Sequence, residues 1–280
     1  MRIKAGINSL NEAEWFINNG ASELYFGLSD LPSHVDNLDE NLRIENQREF
    51  EEAIKFAHSN GCRLFVAVND INVNVFGIEK ALRKMQFLTE SGIDGFIVSS
   101  PEFILRYPKN AKKTEWHLSC LAMCLNSQSL SFYRSLGVNR FAVYQSLFPE
   151  EAILMFKNSG MESEVFLQAD EICVNYDGLC QGCGGLFGNK KFCQISFSIP
   201  GSSRKFHCIR PGLRADMHSF YVFAHNADWL KLVRKSDFSH RKQIFDFAKE
   251  LLALVRESKD EEDFFSMSKQ IFLDIRRLHD

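Results

Sequence analysis

Five cysteines crowd into one stretch of this chain, in the order Cys173-x6-Cys180-x2-Cys183-x9-Cys193-x14-Cys208. Thiolates are soft ligands, and four of them can hold either tetrahedral zinc or an iron–sulfur cluster. Five candidates therefore compete for four places. Gly178, Gly182, Gly184, Gly185 and Gly188 lie among them. Glycine lets backbone fold closely around a metal centre and present N–H groups to sulfur. Buried small thiols are the plainer reading of the same residues. A redox disulfide at Cys180-x-x-Cys183 would need a thioredoxin-like setting, which the flanking sequence lacks. Cys62 is expected to stand apart, at the end of a helix. Cys120 and Cys124 follow a strand; they either reach a shared cavity or pack as ordinary core thiols.

Other polar residues fall where strands end. Asn69 and Asp70 close a third strand, Ser99 and Ser100 a fourth, and His117 sits inside a fifth. Such positions bind substrates in barrel enzymes, although polar residues also begin loops. His117 and Asn69 are the pocket candidates. There is no His-Glu-x-x-His helix and no nucleophile elbow, so no residue is assigned direct proton transfer.

The formal charge of −3 over 280 residues and a pI near 6.3 provide no global attraction for nucleic acid. A small organic molecule is the expected substrate. The first residues, Met1 to Gly6, contain no apolar signal core, and no apolar run approaches the roughly 18 residues of a membrane span. The expected location is the cytoplasm, where clustered cysteines serve metals more often than disulfides.

These groups must be positioned by alternating β and α segments, the pattern of parallel strands with crossover helices. Strands are expected at Ile3–Ile7, Glu23–Leu28, Arg63–Asn69, Gly95–Ser99, Glu115–Ser119, Arg140–Tyr144 and Ser163–Gln168. Helical periodicity marks Asn11–Asn19, Arg48–Ser59, Ile78–Ser91, Ser127–Leu136 and Glu150–Ser159. Asp36–Glu52 is strongly acidic and polar, and reads as a solvated loop and helix start. Gly20, Gly61, Gly92, Gly137 and Gly160 stand where helices need a left-handed C-terminal residue.

The first βα turn lacks Gly-x-Gly-x-x-Gly, which favours a TIM-type barrel over a doubly wound sheet. The rhythm fails after Gln168. Helices are then expected at Asp228–Ser236, Arg241–Ser258 and Glu261–Leu278. The expectation is a single α/β domain with a distorted or incomplete TIM-like barrel. Residues 1–168 supply βα units, the cysteine-rich metal-binding segment 169–212 closes the open side, and 213–280 is helical.

Several ordered motifs resemble peptidase family U32, the collagenase-like peptidases. They are Lys4-Ala5-Gly6; Ala21-x-Glu23-Leu24-Tyr25-Phe26-Gly27; His117-Leu118-Ser119; Asn126-Ser127; Phe132-Tyr133-x-x-Leu136-Gly137-Val138-x-Arg140; Glu164-Val165-Phe166; and Cys173-Val174-x-Tyr176-x-Gly178-x-Cys180. The resemblance runs over about residues 1–210 and implies a TIM-like barrel. It further implies oxygen-independent hydroxylation with a four-cysteine [4Fe–4S] cluster, on RNA in larger members or within a paired complex in short ones.

The chain's size is similar to the short branch, so a homologous partner is implied. Cys173, Cys180, Cys193 and Cys208 would hold the cluster, with Cys183 in reserve and zinc as the alternative metal. Peptide hydrolysis, or a non-catalytic barrel that supports a homologous subunit, are the alternative functions. Where family members carry His-Gly this chain has Gln168-Ala169, and where they carry Arg-Glu-Leu it has Tyr144-Gln145-Ser146.

Overall fold

The computed structural model describes residues 1–33, 47–70, 73, 75–108, 114–144, 147–167, 197–198, 205–206, 212–233 and 237–279. Cys173, Cys180, Cys183, Cys193 and Cys208 lie outside them, as do Gln145, Ser146, Gln168, Ala169 and residues 34–46 of the acidic segment.

All seven expected strands form, each within two residues of its expected ends. They are β1 (Arg2–Gly6), β2 (Glu23–Phe26), β3 (Arg63–Val68), β4 (Gly95–Val98), β5 (Glu115–Leu118), β6 (Arg140–Ala142) and β7 (Glu162–Phe166). A two-residue antiparallel pair, β8 (Phe197–Ser198) with β9 (Lys205–Phe206), stands outside the main sheet. The eighth barrel strand is β10 (Trp229–Lys231), which pairs in parallel with both β7 and β1 and completes a closed ring.

Two expectations are thereby corrected. Asp228–Ser236 is not helical at its start: Trp229 and Lys231 point into the ring while Leu230 and Leu232 join the outer core. A short apolar run does not by itself distinguish buried strand from helix. The ring is also complete without the cysteine segment, so no open side is left for that segment to close.

The crossover helices are α1 (Leu10–Asn18), α2 (Gln47–Ser59), α3 (Val75–Glu90), α4 (Pro101–Arg106), α5 (Ser127–Ser135), α6 (Pro149–Ser159) and α7 (Leu213–Asn226), followed by α8 (Phe238–Glu257) and α9 (Glu261–His279). Neither α4 nor α7 is evident from periodicity alone. Helix α4 starts with Pro101 behind the Ser100 cap, a pairing suited to a helix N-terminus. All five expected helix-terminal glycines adopt positive φ, from +62° at Gly160 to +105° at Gly92.

Alternate strand residues serve two different cores. Ile3, Ala5, Leu24, Phe26, Leu64, Val66, Phe96, Val98, Phe141 and Val165 face outward into one apolar layer beneath the helices. Their neighbours face the barrel axis, where Tyr25, Phe65 and Ile97 form a small separate apolar cluster among charged residues. Helix α8 is clasped to the ring by buried Arg241, which donates to the Gly6 carbonyl at 3.1 Å and to Glu12 of α1 at 2.7 Å. No helix among the described residues is long and apolar enough to cross a membrane.

Candidate active site

A parallel strand covered on both faces ordinarily reads as continuous apolar sequence. The inward positions here instead carry Arg2 and Lys4, Glu23, Arg63, Glu115 and His117, Arg140, Glu162 and Glu164, and Lys231. Three buried cations, Lys4, Arg140 and Lys231, share two buried carboxylates, Glu23 and Glu164. Glu164 bridges the lysines, with Oε2 at 3.1 Å from Lys4 Nζ and Oε1 at 3.1 Å from Lys231 Nζ. Glu23 receives two hydrogen bonds from Arg140, at 2.5 and 3.0 Å, and a further ion pair from Arg63. At the N-terminal rim, Glu162 joins Arg140 at 2.6 Å to Arg2 at 2.5 Å, while Glu115 pairs with Arg63 at 2.6 Å. Trp229 lies between the Arg2 and Arg140 guanidinium groups and donates from Nε1 to Glu162 at 3.0 Å.

Burial disfavours charge, and the cluster divides that cost unevenly. Desolvation draws the Lys4 ammonium down to about 8, with Glu164 and Glu23 only partly opposing it. Lys231 is desolvated too, but Glu164 outweighs this, and negative charge at Tyr25 or Cys120 would add to the rise. Burial alone would lift Glu164, yet Lys231, Lys4 and Arg140 hold it far below the usual carboxylate range. Burial, reinforced by Lys4, Arg140, Arg63 and Lys231, keeps His117 neutral by lowering its pKa well below the usual value.

Lys4 Nζ donates to His117 Nδ1 at 2.9 Å. An ammonium has no acceptor to offer, so Nδ1 must be the acceptor and Nε2 carries the imidazole proton. That Nε2 makes no hydrogen bond and lies 3.8 Å from Glu115 Oε2. The imidazole stacks on Phe65, centroid to centroid 4.1 Å.

Of the expected pocket residues, His117 thus lies within the charge cluster. Asn69 lies one step toward the C-terminal mouth, donating to Ser119 Oγ at 3.2 Å, and Ser99 donates to the Asp70 carbonyl at 3.3 Å. The two candidates share a strand face through Ser119 but are not bonded to each other in this way. Cys120 is half-buried at the mouth, in a 3-10 turn (Cys120–Ala122) close to Lys231. Cys124 turns instead into the outer core, where burial pushes its thiol up to about 12. Cys62, between α2 and β3, lies at the opposite, N-terminal end and is likewise pushed up to about 12, by burial and then by Glu23 and Asp94. No group of three or more His, Cys, Asp or Glu among the described residues is arranged to hold a metal ion.

Lys231, Lys4, Arg140, Glu23 and Glu164 were not singled out as site residues from sequence. Their signal was present as charges at every second position of segments otherwise apolar enough to be buried on both faces. Lys4, Glu23, His117, Arg140 and Glu164 all belong to the motifs that carry the family resemblance, and the barrel brings them together.

Comparison with known proteins bears on the family and the fold. The chain is 28% identical over 137 residues to tRNA hydroxylation protein P of Escherichia coli, covering 48% of this chain and 30% of that protein. The Haemophilus influenzae protein of the same name is 28% identical over 145 residues, 50% of this chain and 31% of that one. The chain thus matches less than a third of the length of these relatives. Among solved structures, a U32 peptidase superposes with a TM-score of 0.53 at 12% identity, covering 85% of this chain and 94% of that one, a likeness of fold. The profile of peptidase family U32 matches residues 8–199, more than half of the sequence, and the chain belongs to that family.

Proposed function

We propose that this chain is an iron–sulfur enzyme, or a subunit of one, for oxygen-independent hydroxylation at the C-terminal mouth of the barrel. The observation that carries the reading is the alignment of half the chain with two proteins named for tRNA hydroxylation. Cys173, Cys180, Cys193 and Cys208, with Cys183 in reserve, would hold a [4Fe–4S] cluster; as a donor set, thiolates suit it and also suit zinc. Leu167 follows the C-terminal end of β7 and Gly212 precedes α7, with only β8 and β9 described between them. A crossover helix between parallel strands begins at the C-terminal face, so the described residues on either side of the cysteine stretch, Leu167 and Gly212, both belong to that face, which supports the reading. When bound, the cluster would supply electron transfer.

The chain's own residues supply the rest. Lys231 presents a cation at the top of the charge cluster, between the Tyr25 ring at 4.5 Å and the Phe166 ring at 5.2 Å. Asn69 and Ser119 offer hydrogen-bonding groups at the rim. The substrate class we favour is a small organic molecule. A tRNA base is the rival raised by the relatives' names, though their unmatched two thirds leave room for tRNA contacts elsewhere. Peptide hydrolysis draws support from the family's name alone; His117 has its Nδ1 engaged by Lys4 rather than by a hydroxyl nucleophile. Reduced thiolates at such a centre fit the cytoplasm.

The test is anaerobic purification of the chain, alone and co-expressed with a homologous partner, followed by iron, sulfide and zinc analysis. Iron and sulfide in equal amounts, lost in Cys173→Ala and Cys180→Ala, are expected. Stoichiometric zinc without iron after anaerobic reconstitution would overturn the redox reading. Mass spectrometry of tRNA nucleosides and of small metabolites from cells lacking the gene then separates the two substrate classes.

A further inference from the structure

The charges inside the ring do not balance. Among the described residues, the inward strand positions carry five cations, Arg2, Lys4, Arg63, Arg140 and Lys231, against four carboxylates, Glu23, Glu115, Glu162 and Glu164, while His117 is neutral. The guanidinium groups are well supplied: Arg140 meets Glu23 and Glu162, Arg63 meets Glu23 and Glu115, and Arg2 meets Glu162. The deficit falls at the other end, where Lys4 and Lys231 share Glu164, itself 3.6 Å from Arg140. We propose that Lys231 is the seat of a singly charged oxyanion carried by the substrate, and so a specificity-determining residue of the mouth. This rests on the reading of the mouth as the reaction site, and deepens it by naming the charge of the group that enters.

Lys231 is the last residue of β10 and pairs with Phe166, the last of β7. An ammonium has three donors, and among the described residues Glu164 is the one carboxylate paired with its Nζ, at 3.1 Å. Its flanks are the Tyr25 ring at 4.5 Å and the Phe166 ring at 5.2 Å, faces that attract a cation but carry no full negative charge. Tyr25 is fixed there by its hydroxyl, which donates to the Leu232 carbonyl at 2.8 Å. The Lys231 side chain is only 6% exposed, so little water is at hand to offset the missing counter-charge. An oxyanion drawn to Nζ is therefore held more strongly than at an exposed lysine, where water screens the attraction.

The protonation states keep the surplus in place. Burial would lower the Lys231 ammonium, but Glu164 outweighs it and raises the pKa above the ordinary lysine value. The strain of the surplus appears at Lys4 instead, drawn down to about 8 by burial first and then by like charges that include Lys231. At neutral pH both lysines are still cations, and the ring holds one positive charge too many. A single negative charge cancels it. A dianion would overshoot and leave net negative charge in the same dry interior, at a similar cost. The chemistry that fits is shared by a carboxylate on a small molecule and a phosphodiester in a nucleic acid.

The experiment follows thermal unfolding of the full chain, and pH titration of its 13C-labelled lysine side chains by NMR, with three probes at constant ionic strength. They are benzoate, dimethyl phosphate as a phosphodiester, and benzamide as the uncharged counterpart of benzoate. A bound anion should raise the wild-type unfolding midpoint by about 2–4 °C near saturation. It should also move the Lys4 titration upward from about 8, because it cancels the repulsion from Lys231. Benzamide should do neither. Lys231→Met should lose the anion-dependent rise in midpoint and Lys231→Arg should keep it; the Lys4 titration in the wild type needs no variant and decides the matter should Lys231→Met fail to fold. A stronger effect of benzoate assigns the oxyanion to a carboxylate, and a stronger effect of dimethyl phosphate assigns it to a phosphodiester. No response to either anion, an equal response to benzamide, or a rise that persists in Lys231→Met overturns the proposal. Failure of the hydroxylase reading would appear separately, as zinc in place of iron.

Discussion

Lys4 shows most directly what burial does to one residue here. Its ammonium has the ordinary pKa of 10.5 in the unfolded chain and about 8 in the folded one. Between those values the unfolded chain binds more protons, so the residue's contribution to stability rises with pH across the window. Below about 8 the cost of burying the cation is present in full. We therefore expect the stability of the wild type relative to Lys4→Met to climb from pH 8 toward pH 10, by at most about 1.4 kcal/mol per pH unit. Cys62 and Cys124, whose raised pKa values act in the opposite direction above pH 9, are common to both proteins and cancel in the difference. Urea unfolding over this range checks it, and a flat or falling difference would show that Lys4 is not desolvated. The charged residue was legible in the sequence; its partners were not, because Glu164 and His117 lie 160 and 113 positions away.

Among the elements, the strands are short and depend on close neighbours. Gly95 opens β4 opposite Glu115, where a Cβ would lie 2.1 Å from the Glu115 carbonyl oxygen. No side-chain rearrangement relieves a clash with backbone, so β4 and β5 would have to part. Gly95→Ala is expected to destabilise the fold by about 1–3 kcal/mol, read as a lower urea midpoint; an unchanged midpoint would show that the two strands slide apart freely. Alternation of apolar residues and the helix-terminal glycines made seven strands and five crossover helices readable. The eighth strand escaped because Trp229–Lys231 lies beyond the point where the βα rhythm fails, so no regular spacing of neighbouring units marks it, and a short apolar run alone does not tell strand from helix. What makes it a strand is pairing on both edges, with β1 and β7.

For the molecule as a whole, the described residues outside the cysteine stretch form a ring closed by β10 and an apolar layer beneath the helices. For the cluster proposed above, treatment with a chelator should abolish visible absorption while leaving the far-UV helical signal nearly unchanged. A cooperative loss of helix on chelation would mean that the metal holds the barrel itself. The sequence alone determined the βα rhythm, the polarity of the strands, the membership in family U32 and the presence of a thiolate-rich stretch. All of these are written in local period, punctuation and ordered motifs. The centre of the barrel was decided only by tertiary structure. Lys4, Glu23, His117, Arg140, Glu164 and Lys231 come from six different strands, and each looks locally like an isolated charge or imidazole in an apolar segment. Closure of the ring removes their water, and with water gone each must find its counter-charge or acceptor across the axis. That requirement, which no local window of sequence contains, sets which groups meet and how strongly each holds its proton.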